Sequence, residues 1–237
     1  MSAQAQTQAQ KTIAFVLYPG LTPLDLIGPL QVMSALPLID PSFRTTVVGE
    51  RIDSVPSDTP IRLTPDGVFD DEPDPFAVVV PGGGAPTIRA MANEAILDYV
   101  RAAAQSAEFV TSVCTGALVL AAAGLLEGRR ATTHWAYAGV LERLGATYVR
   151  KRWVEDGKHI TSAGVSAGID MALHLTERLT NAEISRLVQL AIEYDPQPPG
   201  GRIDWDHTDV PALTELFMAR VSDNLADRPD LVERLIR

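Results

Sequence analysis

Four short β-branched or apolar runs set the rhythm of the chain: residues 12–18 (TIAFVLY), 44–49 (RTTVVG), 76–80 (FAVVV) and 109–113 (FVTSV). The continuous apolar run 12–18 predicts a strand buried on both faces, as in parallel sheets covered by helices; 76–80 and 109–113 read as further buried strands and 44–49 as the strand after the first. The intervening segments carry helical patterns. Thr22 or Asp25 is read as the cap of a helix running towards Leu36, with Pro29 blurring its boundary. Residues 86–105 predict one amphipathic helix with Ile88, Met91, Ile96, Leu97 and Val100 inward. Residues 115–126 predict a buried helix rich in alanine and leucine, and a further helix runs to Leu144. Residues 61–69 form an irregular or hairpin excursion between prolines and a glycine. Two strands, 148–154 and 158–162, flank a hairpin turn at Glu155-Asp156-Gly157. Helices follow at 169–179 and 181–194, the second capped by Asn181 with Ile184, Leu187, Val188 and Ala191 inward. A proline- and glycine-rich arm cannot be helical, and 210–237 closes with one or two helices.

Strands alternating with helices predict an α/β fold, a doubly wound and mostly parallel sheet flanked by helices. The expected organisation is a disordered leader over 1–11, one α/β domain over 12–195, and a C-terminal arm and helices over 196–237 packed on that domain. The last ~40 residues are too few for a core of their own.

Composition narrows the function classes. The net charge of −10 argues against nucleic acid, whose phosphates need clustered Lys and Arg. The longest uninterrupted run of apolar residues and glycine, 117–126, is well short of the ~20 residues of a membrane span. The N-terminal MSAQAQTQAQ has no basic n-region or apolar core, so it is not read as a secretion signal. A single cysteine cannot form an internal disulfide, and a cytoplasmic location is expected. No metal or cofactor is expected.

That cysteine, Cys114, lies where a strand breaks directly into a helix, in SVCTGALVLAAAGLL. Such a residue occupies the tip of a sharp turn, beside the unpaired N–H groups of the new helix. The helix terminus predicts a thiol shifted towards thiolate, a nucleophile. In a parallel sheet, reactive groups gather at the carboxyl ends of the strands. Asp25 follows the first strand, Gly82 and Gly83 follow FAVVV, and Cys114 follows the next. Asp25 reads either as a helix cap or as an acid with a raised pKa, enclosed by Leu24 and Leu26 and facing a developing thiolate. His134 reads as a structural histidine. Residues 164–168 (GVSAG) match the G-x-S-x-G elbow of α/β-hydrolases. No strands follow to carry an acid and a histidine, so Ser166 reads as a helix N-cap in a close turn.

The stretch SVCTGALVLAAAGLLEGRRATTHWA resembles the DJ/PfpI superfamily, of the class I glutamine amidotransferase-like, flavodoxin-like fold, over about residues 12–200. Its strongest likeness is to the isocyanide-hydrating branch. A second likeness is to the domain at the front of AraC-type regulators, which append a basic helix-turn-helix segment, whereas this chain stops at Arg237 with an acidic balance. The resemblance implies a small isocyanide substrate, hydrated to an N-substituted formamide through a thioimidate on Cys114, with Asp25 as acid and base. It implies that Thr115, Gly82, Gly83, His134 and Gly164 line the substrate and oxyanion site, and that the protein is a homodimer. Glyoxalase, deglycase or protease activity is the alternative within the superfamily. Those members generally carry His or Ala after the cysteine and Glu at the acid position, where this chain has Thr115 and Asp25.

Overall fold

A computed structural model describes residues 10–235; the expected leader lies almost wholly outside them. The chain opens with β1 (Lys11–Leu17), α1 (Pro23–Met33), a single turn α2 (Leu36–Ile39) and β2 (Phe43–Gly49). The excursion that follows holds the hairpin β3 (Val55–Pro56) and β4 (Arg62–Leu63), then β5 (Gly67–Val68). Next come β6 (Ala77–Val80), α3 (Ala85–Ala90), α4 (Glu94–Ser106), β7 (Phe109–Ser112) and α5 (Gly116–Ala122). After α5 lie β8 (Arg130–Ala131), a 3₁₀ turn at Trp135–Tyr137, α6 (Ala138–Arg143) and β9 (Thr147–Tyr148). The chain ends with β10 (Trp153–Asp156), β11 (His159–Ser162), α7 (Ala167–Leu179), α8 (Ala182–Ala191), α9 (Val210–Asn224) and α10 (Pro229–Leu235).

Seven strands form the central sheet in the order β10-β11-β7-β6-β1-β2-β5, parallel throughout except for β10. This is the doubly wound α/β sheet expected. The strand β1 is buried from Thr12 to Leu17 and all four residues of β6 and of β7 are buried, so both faces are covered. Neighbours in register bring Val80 level with Ser112, and Ser112 level with Thr161. The carboxyl ends of β6, β7 and β11 therefore form one ledge, with β1 beside it.

Several local expectations are corrected. The single helix over 86–105 is two, because Asn93 leaves helical geometry and its side chain caps α4 through the Ala95 N–H at 3.0 Å. All five residues expected inward there are buried. Pro29 lies inside α1 rather than at its boundary. The lost backbone bond is tolerated because this stretch of α1 packs closely on α7: a Cβ on Gly28 would lie 3.1 Å from Ile169. The expected strand over 148–154 is interrupted; Tyr148 pairs through β9 with β8, and Trp153 starts β10. In α8, Val188 is buried but Leu187 is 52% exposed and Ala191 is exposed, so the inward face is narrower than its pattern predicts. Neither Thr22 nor Ser166 makes a side-chain cap, although both occupy N-cap positions. The C-terminal helix α9 packs on the 3₁₀ turn and on α3, burying Val221. Among the described residues, no helix is long and apolar enough to cross a membrane.

Candidate active site

Three of the expected site residues stand two positions beyond the end of a parallel strand: Gly82 after β6, Cys114 after β7 and Gly164 after β11. The register of those strands puts the three side by side. Asp25 joins them from the first turn of α1.

Cys114 has φ 55°, a left-handed conformation costing on the order of 1–3 kcal/mol for a residue with a Cβ. Tertiary bonds hold it there. Its N–H donates to the Ala163 carbonyl (3.1 Å), and its carbonyl accepts from the Thr133 hydroxyl (2.9 Å). Gly116 explains why the next helix can start so close to β6: a Cβ there would meet the Val80 carbonyl oxygen at 2.0 Å. The thiol is 5% exposed. The backbone N–H groups of Thr115 and Val165 favour its thiolate, and the Asp25 carboxyl interacts with it.

Asp25 is fully buried. It does not cap α1. One carboxylate oxygen, Oδ2, accepts from the Gly82 N–H at 3.0 Å, while the Gly82 carbonyl accepts from the Thr22 N–H at 2.9 Å, clamping the start of α1 to the glycine loop. Its Oδ1 has no protein partner. Burial pushes the Asp25 pKa up to about 7, against the hydrogen bonds from Gly82 and Cys114 that favour its charge. The expectation of a thiol lowered by a helix terminus is overturned. Burial, and then the negative charge of Asp25, push Cys114 well above the ordinary thiol range, outweighing the two N–H donors. The two groups interact and titrate as a pair, whose first proton leaves near neutrality.

The glycine loop and Thr115 are occupied differently from the implied oxyanion cradle. The Tyr18 hydroxyl donates its one proton to the Pro81 carbonyl (2.8 Å), so in its 3.0 Å bond with Thr87 the threonine must donate. Thr87 has then spent its proton, and in the 2.8 Å bond with Thr115 it is Thr115 that donates. Thr115 in turn accepts from the Gly83 N–H at 2.9 Å. Thus the Gly82 N–H holds Asp25, the Gly83 N–H holds Thr115, and the Thr115 hydroxyl proton points away into a buried relay. These groups fix the acid and the elbow. None of the three donors faces outward.

His134 is largely buried beside the site. Its Nδ1 accepts from the Ala136 N–H at 3.3 Å, which puts the proton of the neutral ring on Nε2. Burial pushes its pKa down to about 4, so it is neutral at physiological pH. Its ring fills the space that a Cβ on Gly164 would need, 2.6 Å from Cδ2, and lies edge-on to Tyr137 and 5.7 Å from Phe217 of α9. Ser166 is exposed, and its hydroxyl accepts from Arg152 at 3.1 Å, so the hydrolase-like motif carries no nucleophile here. Among the described residues, no group of three or more His, Cys, Asp or Glu side chains could hold a metal ion.

The sequence reading missed Tyr18, Thr87, Thr133, Tyr137 and the Val165 N–H. Tyr18, a hydroxyl at the end of a buried strand, carried a legible signal. The Val165 N–H had none, since a backbone donor has no residue type.

The DJ-1/PfpI family model matches residues 11–178. The chain is 42% identical over 222 residues to the isonitrile hydratase of Pseudomonas putida, covering 94% of this chain and 95% of that protein. It is 30% identical over 181 residues to the HTH-type transcriptional regulator GbdR of Pseudomonas aeruginosa, covering 73% of this chain and 48% of the regulator. Among solved structures, a ThiJ/PfpI family protein from Pseudomonas syringae matches with a TM-score of 0.81 at 30% identity, over 99% of this chain and 96% of that one. With the sheet order, the strained cysteine after β7 and these matches agreeing, the chain belongs to the DJ-1/PfpI family.

Proposed function

We propose that this protein is an isocyanide hydratase, converting an isocyanide and water to an N-substituted formamide with Cys114 as nucleophile and Asp25 as its acid and base. The observation that carries the reading is the buried Cys114–Asp25 pair in a chain 42% identical, over nearly its whole length, to an isonitrile hydratase. The pair keeps one proton once the first has left near neutrality; as the sulfur attacks, that proton passes from the thiol to Asp25, so the pair reacts as thiolate and carboxylic acid.

The sulfur attacks the terminal carbon of the isocyanide and a C–S bond forms. Asp25 passes its proton to that carbon, giving a thioimidate. Asp25, now a carboxylate, takes a proton from water as the oxygen adds to the same carbon, and returns that proton to the nitrogen. In the last step it takes the hydroxyl proton of the tetrahedral adduct. The C=O bond forms, the C–S bond breaks, and the pair regains its thiolate and its acid. Both hydrogens of water are accounted for: one ends on nitrogen, and the other replaces the proton given to carbon. The unpartnered Oδ1 of Asp25 supports this use, since a buried carboxylate oxygen without a protein donor suits exchange with a substrate.

Incubation with a simple alkyl or aryl isocyanide and detection of the formamide by mass spectrometry tests the reading. Product from the native chain and none from Cys114→Ala is expected; no product from the native chain overturns it. The regulator GbdR supports a second reading, a small-molecule-sensing domain, which binding without turnover in the same assay would favour. The resemblance further supports a cytoplasmic homodimer, which light scattering in solution would check.

A further inference from the structure

We infer that Tyr137 is a further catalytic residue: its hydroxyl donates a hydrogen bond to the nitrogen of the substrate as the thioimidate is hydrolysed. The inference rests on the hydratase reading and supplies something that reading needs. When water adds to the C=N carbon, negative charge grows on nitrogen before the proton arrives. A donor aimed at such a charge is among the larger contributions an enzyme makes. The groups expected for this task are committed elsewhere: the Gly82 N–H to Asp25, the Gly83 N–H to Thr115, and the Thr115 hydroxyl to Thr87. The N–H groups of Thr115 and Val165 face the sulfur.

Tyr137 reaches the glycine loop from the segment that follows β8. Four residues before it, Thr133 ties this segment to the elbow through the Cys114 carbonyl. The 3₁₀ turn then swings the ring across the glycine loop, so that a Cβ on Gly84 would touch the tyrosine oxygen at 3.4 Å. The side chain is 3% exposed and its ring meets His134 edge-on at 5.9 Å. Burial, then a negative charge on Cys114, raises the Tyr137 pKa far above the physiological range, so the group stays a phenol and can donate throughout the cycle. A charge on the Cys114 sulfur is felt at this oxygen, in keeping with its place beside the glycine loop. His134 is shifted by burial alone. No proton leaves Tyr137: Asp25 carries the protons and the phenol stabilises charge.

The decisive measurement separates formation of the adduct from its breakdown. Tyr137→Phe removes one oxygen and no packing. Mixed with an isocyanide, it is expected to form the adduct on Cys114 at nearly the native rate and then accumulate it, seen by intact-protein mass as a gain of one substrate. Steady-state kcat should fall about 10²-fold, the loss typical of one donor of this kind, while KM changes less. Adduct formation slowed as much as turnover, with nothing accumulating, or kcat within about threefold of native, overturns the inference. Should Tyr137→Phe not fold, Tyr137→Met carries the same measurement. A native protein that makes no formamide overturns the parent reading and this inference together, whereas a native enzyme beside a Tyr137→Phe variant without accumulation overturns the inference alone.

Discussion

Two strand-to-helix elbows lie side by side, alike in sequence and different in what they present. One follows β7 and holds Cys114; the other follows β11 and holds Val165-Ser166. Each has one non-glycine residue at positive φ, 55° at Cys114 and 26° at Val165. In the first elbow the strained residue is the cysteine proposed as nucleophile, and its thiol is buried beside Asp25. In the second the strained residue is a valine that offers only its N–H, and it offers it to the sulfur of the first. The serine falls one position later, turned outward to Arg152. A motif fixes the shape of a turn. What the turn presents depends on which of its residues sits at the strained position and on what the neighbouring strand ends supply.

The largest break in this comparison is at Cys114. Cys114→Ala should abolish formamide formation while the melting temperature changes little, because the bonds that hold the elbow run through the Cys114 backbone and not its thiol. Retained turnover would make the first elbow as inert as the second.

Asp25→Asn comes next. Asn keeps the shape and cannot exchange a proton, so kcat should fall about 10²–10⁴-fold with little change in fold. The variant also has a signature in pH. Asp25 binds its proton more tightly in the folded protein, with its pKa raised from 3.8 to about 7. The stability it contributes is therefore full below about 4 and is lost as pH rises to about 7, above which the curve is flat. Melting temperatures of native and Asp25→Asn protein across pH 4–8 should show that slope only in the native chain. Alkylation of Cys114 by iodoacetamide should rise through pH 7 in the native protein, as the pair loses its first proton, and should show no such step in the variant.

The glycines beside the two elbows sharpen the contrast. A methyl at Gly116 would collide with the backbone of β6, and Gly116→Ala should cost about 3 kcal/mol or more. At Gly168 the nearest atom is a methyl of Val113, 2.9 Å away on a side chain that can shift. Gly168→Ala should cost less, about 1–2 kcal/mol, as denaturant midpoints would report. Smallest of all is Ser166→Ala. An exposed hydroxyl bonded to one arginine should be worth no more than about 0.5 kcal/mol, and kcat should be unchanged. A large loss of activity there would mean that the second elbow carries chemistry after all.

Much of this was legible from the chain alone. The buried strands, their parallel arrangement and the break at Cys114 follow from apolar runs closed by glycine and proline, because burial on both faces leaves no room for polar alternation. The split of the helix over 86–105 was less visible, because Asn93 acts as a cap only once the chain turns there. The outward side of α8 was misread because periodicity gives the direction of a face but not its width.

The sequence by itself determined which side chains stand at strand ends, since strand and turn signals act within a few residues and owe little to the rest of the chain. Tertiary structure decided their protonation and their partners. The thiol is raised rather than lowered because burial and Asp25, 89 positions away in the chain, outweigh the local N–H groups at the start of α5. The Gly82 and Gly83 donors turn inward because Asp25 and Thr115 reach them first. Electrostatics and hydrogen-bond direction depend on everything within several ångströms, and only the folded chain brings those groups together.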